Sequence, residues 1–126
     1  MARSVHKISA AESQVMEAVW RHGPTTTEQI VADVGEPNGW TRGTVKTLVA
    51  RLLRKRALEG RRSEQGYFYH ALLPRSDYLR AESQGVVDRL FGGEVAPFVA
   101  HFAEHRALTP EDLRRLKDLV KRLEDE

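Results

Sequence analysis

The chain has 126 residues, 40% of them hydrophobic, and carries 20 Lys/Arg against 18 Asp/Glu for a formal net charge of +2. That length suits one domain, or a small domain with an appendage, and so modest an apolar content makes pairing with a second copy a natural way to complete a core. Cysteine is absent, which excludes disulfides and thiolate metal sites; Met1 to Lys7 holds no apolar leader and no run approaches about 18 apolar residues, so neither signal peptide nor membrane span is expected and the setting reads as cytoplasmic.

In chain order, Ser9 with Glu12 is a capping-box pattern, whose hydroxyl and carboxylate satisfy the unpaired N–H groups at a helix start. Ala11, Val15, Ala18 and Val19 give the apolar stripe of a first helix that ends near Gly23-Pro24. Thr26 and Gln29 repeat the box, and Ile30, Val31 and Val34 line a short second helix that stops at Gly35. Glu36-Pro37-Asn38-Gly39 reads as a loop. Thr41 caps a third helix, with Trp40 and Val45 as a hydrophobic staple.

This third helix has two incompatible faces. Val45, Leu48, Val49, Leu52 and Leu53 recur as an apolar stripe about 100° wide. Opposite them stand Arg42, Lys46, Thr47, Arg51, Arg54 and Lys55, with no carboxylate in the stretch, while Gly43 and Ala50 keep that side slim. A slim cationic helix suits a DNA major groove about 12 Å wide. Thr44 and Thr47 are expected at base edges or thymine methyls, and Arg51, Arg54 and Lys55 nearer phosphates.

Leu58 to Arg62 and Tyr67 to Leu73 read as two strands joined by the polar turn Ser63-Glu64-Gln65-Gly66. A hairpin directly after the basic helix is a wing, whose Arg61 and Arg62 can follow a phosphate strand. Residues 1–74 therefore read as a winged helix-turn-helix.

Pro74 marks a boundary, and residues 75–126 read as a helical region for dimerisation. Leu79, Val86, Val87 and Leu90 line its first helix, which Gly92-Gly93 ends. Val95, Phe98, Val99 and Phe102 line the second. Thr109-Pro110-Glu111-Asp112 caps the third, and Leu113, Leu116, Leu119, Val120 and Leu123 form its stripe. Helices this short enclose no core alone, and a second copy is the simplest cover. Charge divides along the same line: residues 1–75 hold twelve Lys/Arg against seven Asp/Glu, a balance of +5, and residues 76–126 hold eight against eleven, a balance of −3.

Several of these pieces together resemble the penicillinase and methicillin-resistance repressor family (BlaI/MecI/CopY type). They are Ile8-Ser9 through Glu12, Val15-Met16, Val19-Trp20, Thr44 to Leu48 with Arg51-Leu52, Tyr67-Phe68-Tyr69 and Phe91-Gly92-Gly93. The resemblance, from about Ile8 to Leu123, implies a homodimeric winged-helix repressor that occupies inverted-repeat operators with TACA/TGTA half-sites. It places recognition positions on Thr41, Gly43, Thr44, Lys46, Thr47 and Arg51; Gly43 departs from the lysine that can stand there. The lack of cysteine removes the copper-responsive branch. The β-lactam branch is inactivated by a sensor-linked protease at an Asn–Phe bond, whose matching position here is His101-Phe102, with Phe102 in agreement and His101 not.

The segment His101 to His105 also matches H-x-x-E-H, the inverted zinc-protease motif. Catalysis needs a third protein ligand and a walled cleft, and only a short amphipathic helix follows, so zinc-dependent hydrolysis is not expected; a structural or regulatory zinc on His101 and His105 stays open as the alternative, and no metal or cofactor is assigned. Tyr67, Tyr69, Phe98 and Phe102 read as core or interface residues and Trp20 and Trp40 as packing of the winged domain. No nucleophile elbow, phosphate loop or Rossmann pattern occurs, and an enzyme is not expected. The alternative is a winged-helix module for protein assembly, its basic helix meeting an acidic partner.

Overall fold

The computed structural model describes residues 7–105 and 107–126; the leader-free reading of Met1 to Lys7 falls, Lys7 apart, outside them. The chain divides into two compact units, split between Ala81 and Glu82.

In the first unit the expected caps place the helices. α1 (Ala10–His22) begins with a complete capping box: Glu12 N–H donates to Ser9 Oγ and Ser9 N–H to Glu12 Oε1, each at 3.0 Å. Its stripe of Val15, Met16, Ala18 and Val19 is buried. Thr26 caps α2 (Thr27–Ile30) by accepting from Gln29 N–H at 3.1 Å, but the box is only half made. The Gln29 amide donates to Asp33 Oδ1 instead, at 3.1 Å.

The expected loop at residues 36–39 is a correction. Helical backbone continues from α2 through a π-helical turn (Val31–Gly35) into α3 (Glu36–Asn38). The π turn inserts an i→i+5 bond, Glu36 N–H to Val31 O, so Pro37 falls in the first turn of a fresh segment, where its missing donor costs nothing. Asn38 Nδ2 donates to Val34 O at 2.7 Å, and the chain leaves the helix at Gly39, whose φ of 70° suits a residue without Cβ.

Thr41 then caps α4 (Arg42–Arg54), accepting from Thr44 N–H at 3.1 Å. Val45, Leu48, Val49 and Leu52 pack under it in a core that runs from Ile8 through α1, Ile30 and Val34 to Ala57, Leu58 and Leu73. Both tryptophans lie against this core, and Trp20 Nε1 donates to Leu73 O at 2.8 Å. α4 stops without a glycine. Arg56 takes φ 62°, and Ala57 N–H reaches back to Leu52 O at 2.9 Å.

β1 (Leu58–Ser63) and β2 (Gly66–Ala71) pair antiparallel with Arg61 opposite Phe68 and Gly60 opposite Tyr69. The hairpin is tighter than expected, because Ser63 and Gly66 pair and only Glu64-Gln65 form the tip. The second strand ends at Ala71 rather than Leu73; Leu72 and Leu73 N–H both bend to Ala57 O, at 2.8 and 3.2 Å. Thr25 bridges to Tyr69 through bonds of 3.1 and 2.7 Å, tying the α1–α2 loop to the wing.

α5 (Arg75–Phe91) begins directly after Pro74 and spans the division between the units. The second unit continues with α6 (Val95–Glu104) and α7 (Pro110–Glu124), the latter opened by a Thr109/Asp112 capping box. Its apolar side chains are mostly uncovered: Leu90 is 63% exposed, Val95 61%, Val120 52% and Leu123 58%. Val87 is the exception, at 6%. Among the described residues no helix is long and apolar enough to cross a membrane.

Glu12 joins local to tertiary structure. Its carboxylate is buried, and Lys55 Nζ approaches Oε1 at 2.6 Å while also donating to Lys7 O at 2.8 Å. Burial pushes the Glu12 carboxyl up, but the hydrogen bond from Lys55, the bonds from Ser9 and the Lys55 charge outweigh it and leave the group below 4.5. A carboxyl lowered by folding adds stability above its unfolded value, and that stability is lost as pH falls through the folded value. Glu12→Gln should therefore cost about 1–3 kcal/mol at pH 7. The deficit relative to the parent should shrink on acidification below 4.5. Urea unfolding of both proteins at pH 7 and in acid measures it; a pH-independent deficit would disprove the ionic contribution.

Candidate nucleic-acid interface

The exposed side of α4 is built by the burial of its other side. With Val45, Leu48, Val49 and Leu52 turned into the core, 3.6 residues per turn put Gly43, Thr47, Ala50 and Arg54 on one line down the middle of the outer face. Arg42 and Lys46 flank that line on one side, Thr44 and Arg51 on the other. Thr41, Arg42, Gly43, Thr44, Lys46, Thr47, Arg51 and Arg54 are all exposed. Small residues, Gly43, Thr47 and Ala50, occupy the centre of the strip until Arg54 at its far end, and Arg42, Lys46 and Arg51 stand along its edges.

Hydroxyl chemistry on this face is partly committed. Thr47 Oγ1 donates to Gly43 O at 3.0 Å, which uses its one proton and leaves the oxygen as an acceptor. Thr41 Oγ1 faces Thr44 Oγ1 at 3.2 Å.

Two cations differ from expectation. Lys55 is half-buried and already paired: its ammonium is held between Glu12 and the Lys7 carbonyl, so it braces the start of α1 against the end of α4. Arg42 is exposed but not alone. Glu28, at the start of α2, takes its guanidinium at 2.7 Å, and the hydrogen bond from Arg42 holds the Glu28 carboxyl below its usual range. The face of α4 thus has an acid beside it, contributed by another helix, which the sequence of α4 alone did not reveal. Its only signal was the acidic residue in the first turn of α2.

On the wing, Arg61 and Arg62 are exposed. Arg61 pairs with Glu59, and the Arg62 guanidinium lies 5.6 Å from the centre of the Tyr67 ring, a cation–π arrangement that steadies it. Tyr67 in turn meets Tyr69 edge to face at 5.6 Å. An open groove between the wing and Pro24 is lined by Arg61, Arg62, Phe68 and His70.

In the second unit, Val95, Phe102, Leu113, Leu119, Val120 and Leu123 are exposed, and Phe98, Val99 and Leu116 half-buried. Val86 and Leu90 on α5 are half-buried and exposed, and Leu79, within the first unit, is exposed. Val87 corrects the expectation for α5, since it is already covered within the chain and not available to a partner. Phe98 packs edge to face with Phe91 and with Phe102, at 5.3 Å each. His101 and Phe102 are exposed on α6.

A helix-turn-helix with a cationic third element and a hairpin behind it defines a winged helix-turn-helix protein. The penicillinase repressor family model matches residues 8–122. The chain belongs to that family, a family of transcriptional repressors and not of enzymes. It is 25% identical to the penicillinase repressor of Bacillus licheniformis, over 94% of this chain and 92% of that one. It is 27% identical to the penicillinase repressor of Staphylococcus aureus, over 95% of each. Among solved structures, the monomeric form of Bacillus licheniformis BlaI in complex with the blaP half-operator superposes with a TM-score of 0.55 at 28% identity. That match covers 60% of this chain and 92% of the other.

Proposed function

We propose that this chain is a cytoplasmic, homodimeric repressor that binds an inverted-repeat operator of TACA/TGTA-like half-sites and blocks transcription by occupying it. The observation that carries the reading is the outer face of α4, a line of small residues ending in Arg54 with cations on both edges, while Val45, Leu48, Val49 and Leu52 are committed to the core. The BlaI structure bound to a half-operator supports it.

α4 enters the major groove. Thr47, central and with its proton spent, accepts from a base amino group or lays its methyl on thymine, and Thr44 acts beside it. Thr41, at the mouth of the helix, and Gly43, which lets the backbone approach, complete the base-facing set. Lys46, Arg51 and Arg54 meet phosphates, as do Arg61 and Arg62 on the wing. Arg42 must first leave Glu28 and contributes less.

Dimerisation uses the uncovered faces of α6 and α7 with Leu79, Val86 and Leu90. A two-fold pair sets its recognition helices about 34 Å apart, one turn of duplex. Release follows from cutting the chain. A sensor-linked protease acting between His101 and Phe102 in response to β-lactam or cell-wall stress removes α7 and with it most of the interface.

Fluorescence anisotropy on an inverted-repeat promoter fragment, at two salt concentrations, tests the division of labour. Arg54→Ala should weaken operator and random DNA alike and lower the salt slope by about one phosphate equivalent. Thr47→Ala should lower discrimination at one base pair by about 1–3 kcal/mol and leave the slope unchanged. Equal losses on specific and random DNA for both variants would refute the assignment. Absence of any sequence-specific complex would instead favour the protein-assembly reading.

A further inference from the structure

The imidazoles of His101 and His105, at the end of α6, take no part in the DNA contact or the pairing of chains described above. One helical turn separates the two residues, so they share a face, and their rings lie 4.5 Å apart, centre to centre, with 41° between planes. Both are exposed. His105 Nδ1 sits 2.9 Å from His101 O, so in the neutral ring that nitrogen carries the proton and donates to the carbonyl. The tautomer this selects leaves Nε2 with a free lone pair. A ligand imidazole held through its other ring nitrogen by a backbone carbonyl is the outer arrangement that metal-binding histidines use. Phe91 and Phe102 lie 6.2 and 5.8 Å from the His101 ring and restrict it from two sides.

We propose that His101 and His105 form a two-imidazole site for a divalent transition-metal ion of the copper(II), nickel(II) or zinc(II) class. Imidazole is a favoured ligand for these ions and a poor one for magnesium or calcium. Among the described residues no cluster of three or more His, Cys, Asp or Glu side chains is placed to hold a metal, so water fills the remaining positions. The site binds and does not catalyse. The ion bridges residue 101 to residue 105 across the last turn of α6, clamping it closed.

The test is calorimetric titration of the full chain, free of any affinity tag, with copper(II), nickel(II) and zinc(II) chloride separately. One equivalent per chain is expected, with copper tightest. His101→Gln and His105→Gln should each weaken binding about tenfold or more, and His70→Gln should leave it unchanged. Electron paramagnetic resonance of the copper(II) form reads the ligands directly and should show two imidazole nitrogens, independent of how any variant folds. Unchanged affinity in the double variant, a spectrum without two imidazoles, or no binding heat up to about 1 mM metal would each overturn the site.

Discussion

A chain carrying Leu119→Asp is expected to sediment as a monomer and to bind an inverted-repeat operator about 10²–10⁴-fold more weakly than the parent. Leu119 is 42% exposed in the single chain and belongs to the α7 stripe with Leu113, Leu116, Val120 and Leu123. A carboxylate there is solvated in the monomer and costs the fold little, yet in a two-fold interface it meets apolar surface and its own symmetry mate without compensation. Linking two half-sites raises the effective concentration of the second binding event, and that gain disappears when the pair separates. Affinity for an isolated half-site should be unchanged, because α4 and the wing are untouched. Sedimentation equilibrium and titrations against one and two half-sites give both numbers. Substitution of Lys117, exposed on the same helix, is the control. A dimer that survives Leu119→Asp would remove α7 from the interface.

Leu52→Ala should destabilise the first unit by about 2–5 kcal/mol, a large share of the 5–15 kcal/mol of a typical domain. Leu52 is fully buried on the inner side of α4, in the same core as Val15, Met16 and Ile30. Truncation leaves a void that helices pinned by several caps and hydrogen bonds cannot easily collapse. DNA affinity should fall with the folded fraction and recover at low temperature. Leu52→Met, which preserves volume, should cost less than about 1.5 kcal/mol. Both tryptophans pack against this core, so urea unfolding followed by their fluorescence reports the first unit. A loss below 1 kcal/mol would mean that the core closes around the gap.

Much of the fold was legible because it is written in short-range chemistry. Ser9, Thr26, Thr41 and Thr109 each accept from the backbone N–H three residues on. The alternation of β2 and the apolar stripe of α4 gave the wing and the inner face. What escaped notice depends on register or on partners far along the chain. Pro37 and Gly39 look like loop punctuation, and only an i→i+5 turn lets helical backbone run through to Asn38. Nothing local to Arg56 announces a left-handed residue at the stop of α4. Lys55 looked like a phosphate ligand because Glu12, its partner, is 43 residues away. The ion pair of Arg42 escaped notice for the same reason, its acid lying on a different helix. Val87, read from periodicity as an interface residue, is already covered within the chain.

The bridge from Thr25 to Tyr69 bears on mechanics. A two-stranded ribbon anchored only at its base swings, and two strands alone are marginal in water. Here an isolated bridge from Thr25 holds β2 at Tyr69, which restrains bending at that point. Torque applied at the Glu64-Gln65 tip is transmitted through Tyr69 into the loop that joins α1 to α2. The hairpin therefore acts as a stiff outrigger, held near its root by the α1–α2 loop in the free chain.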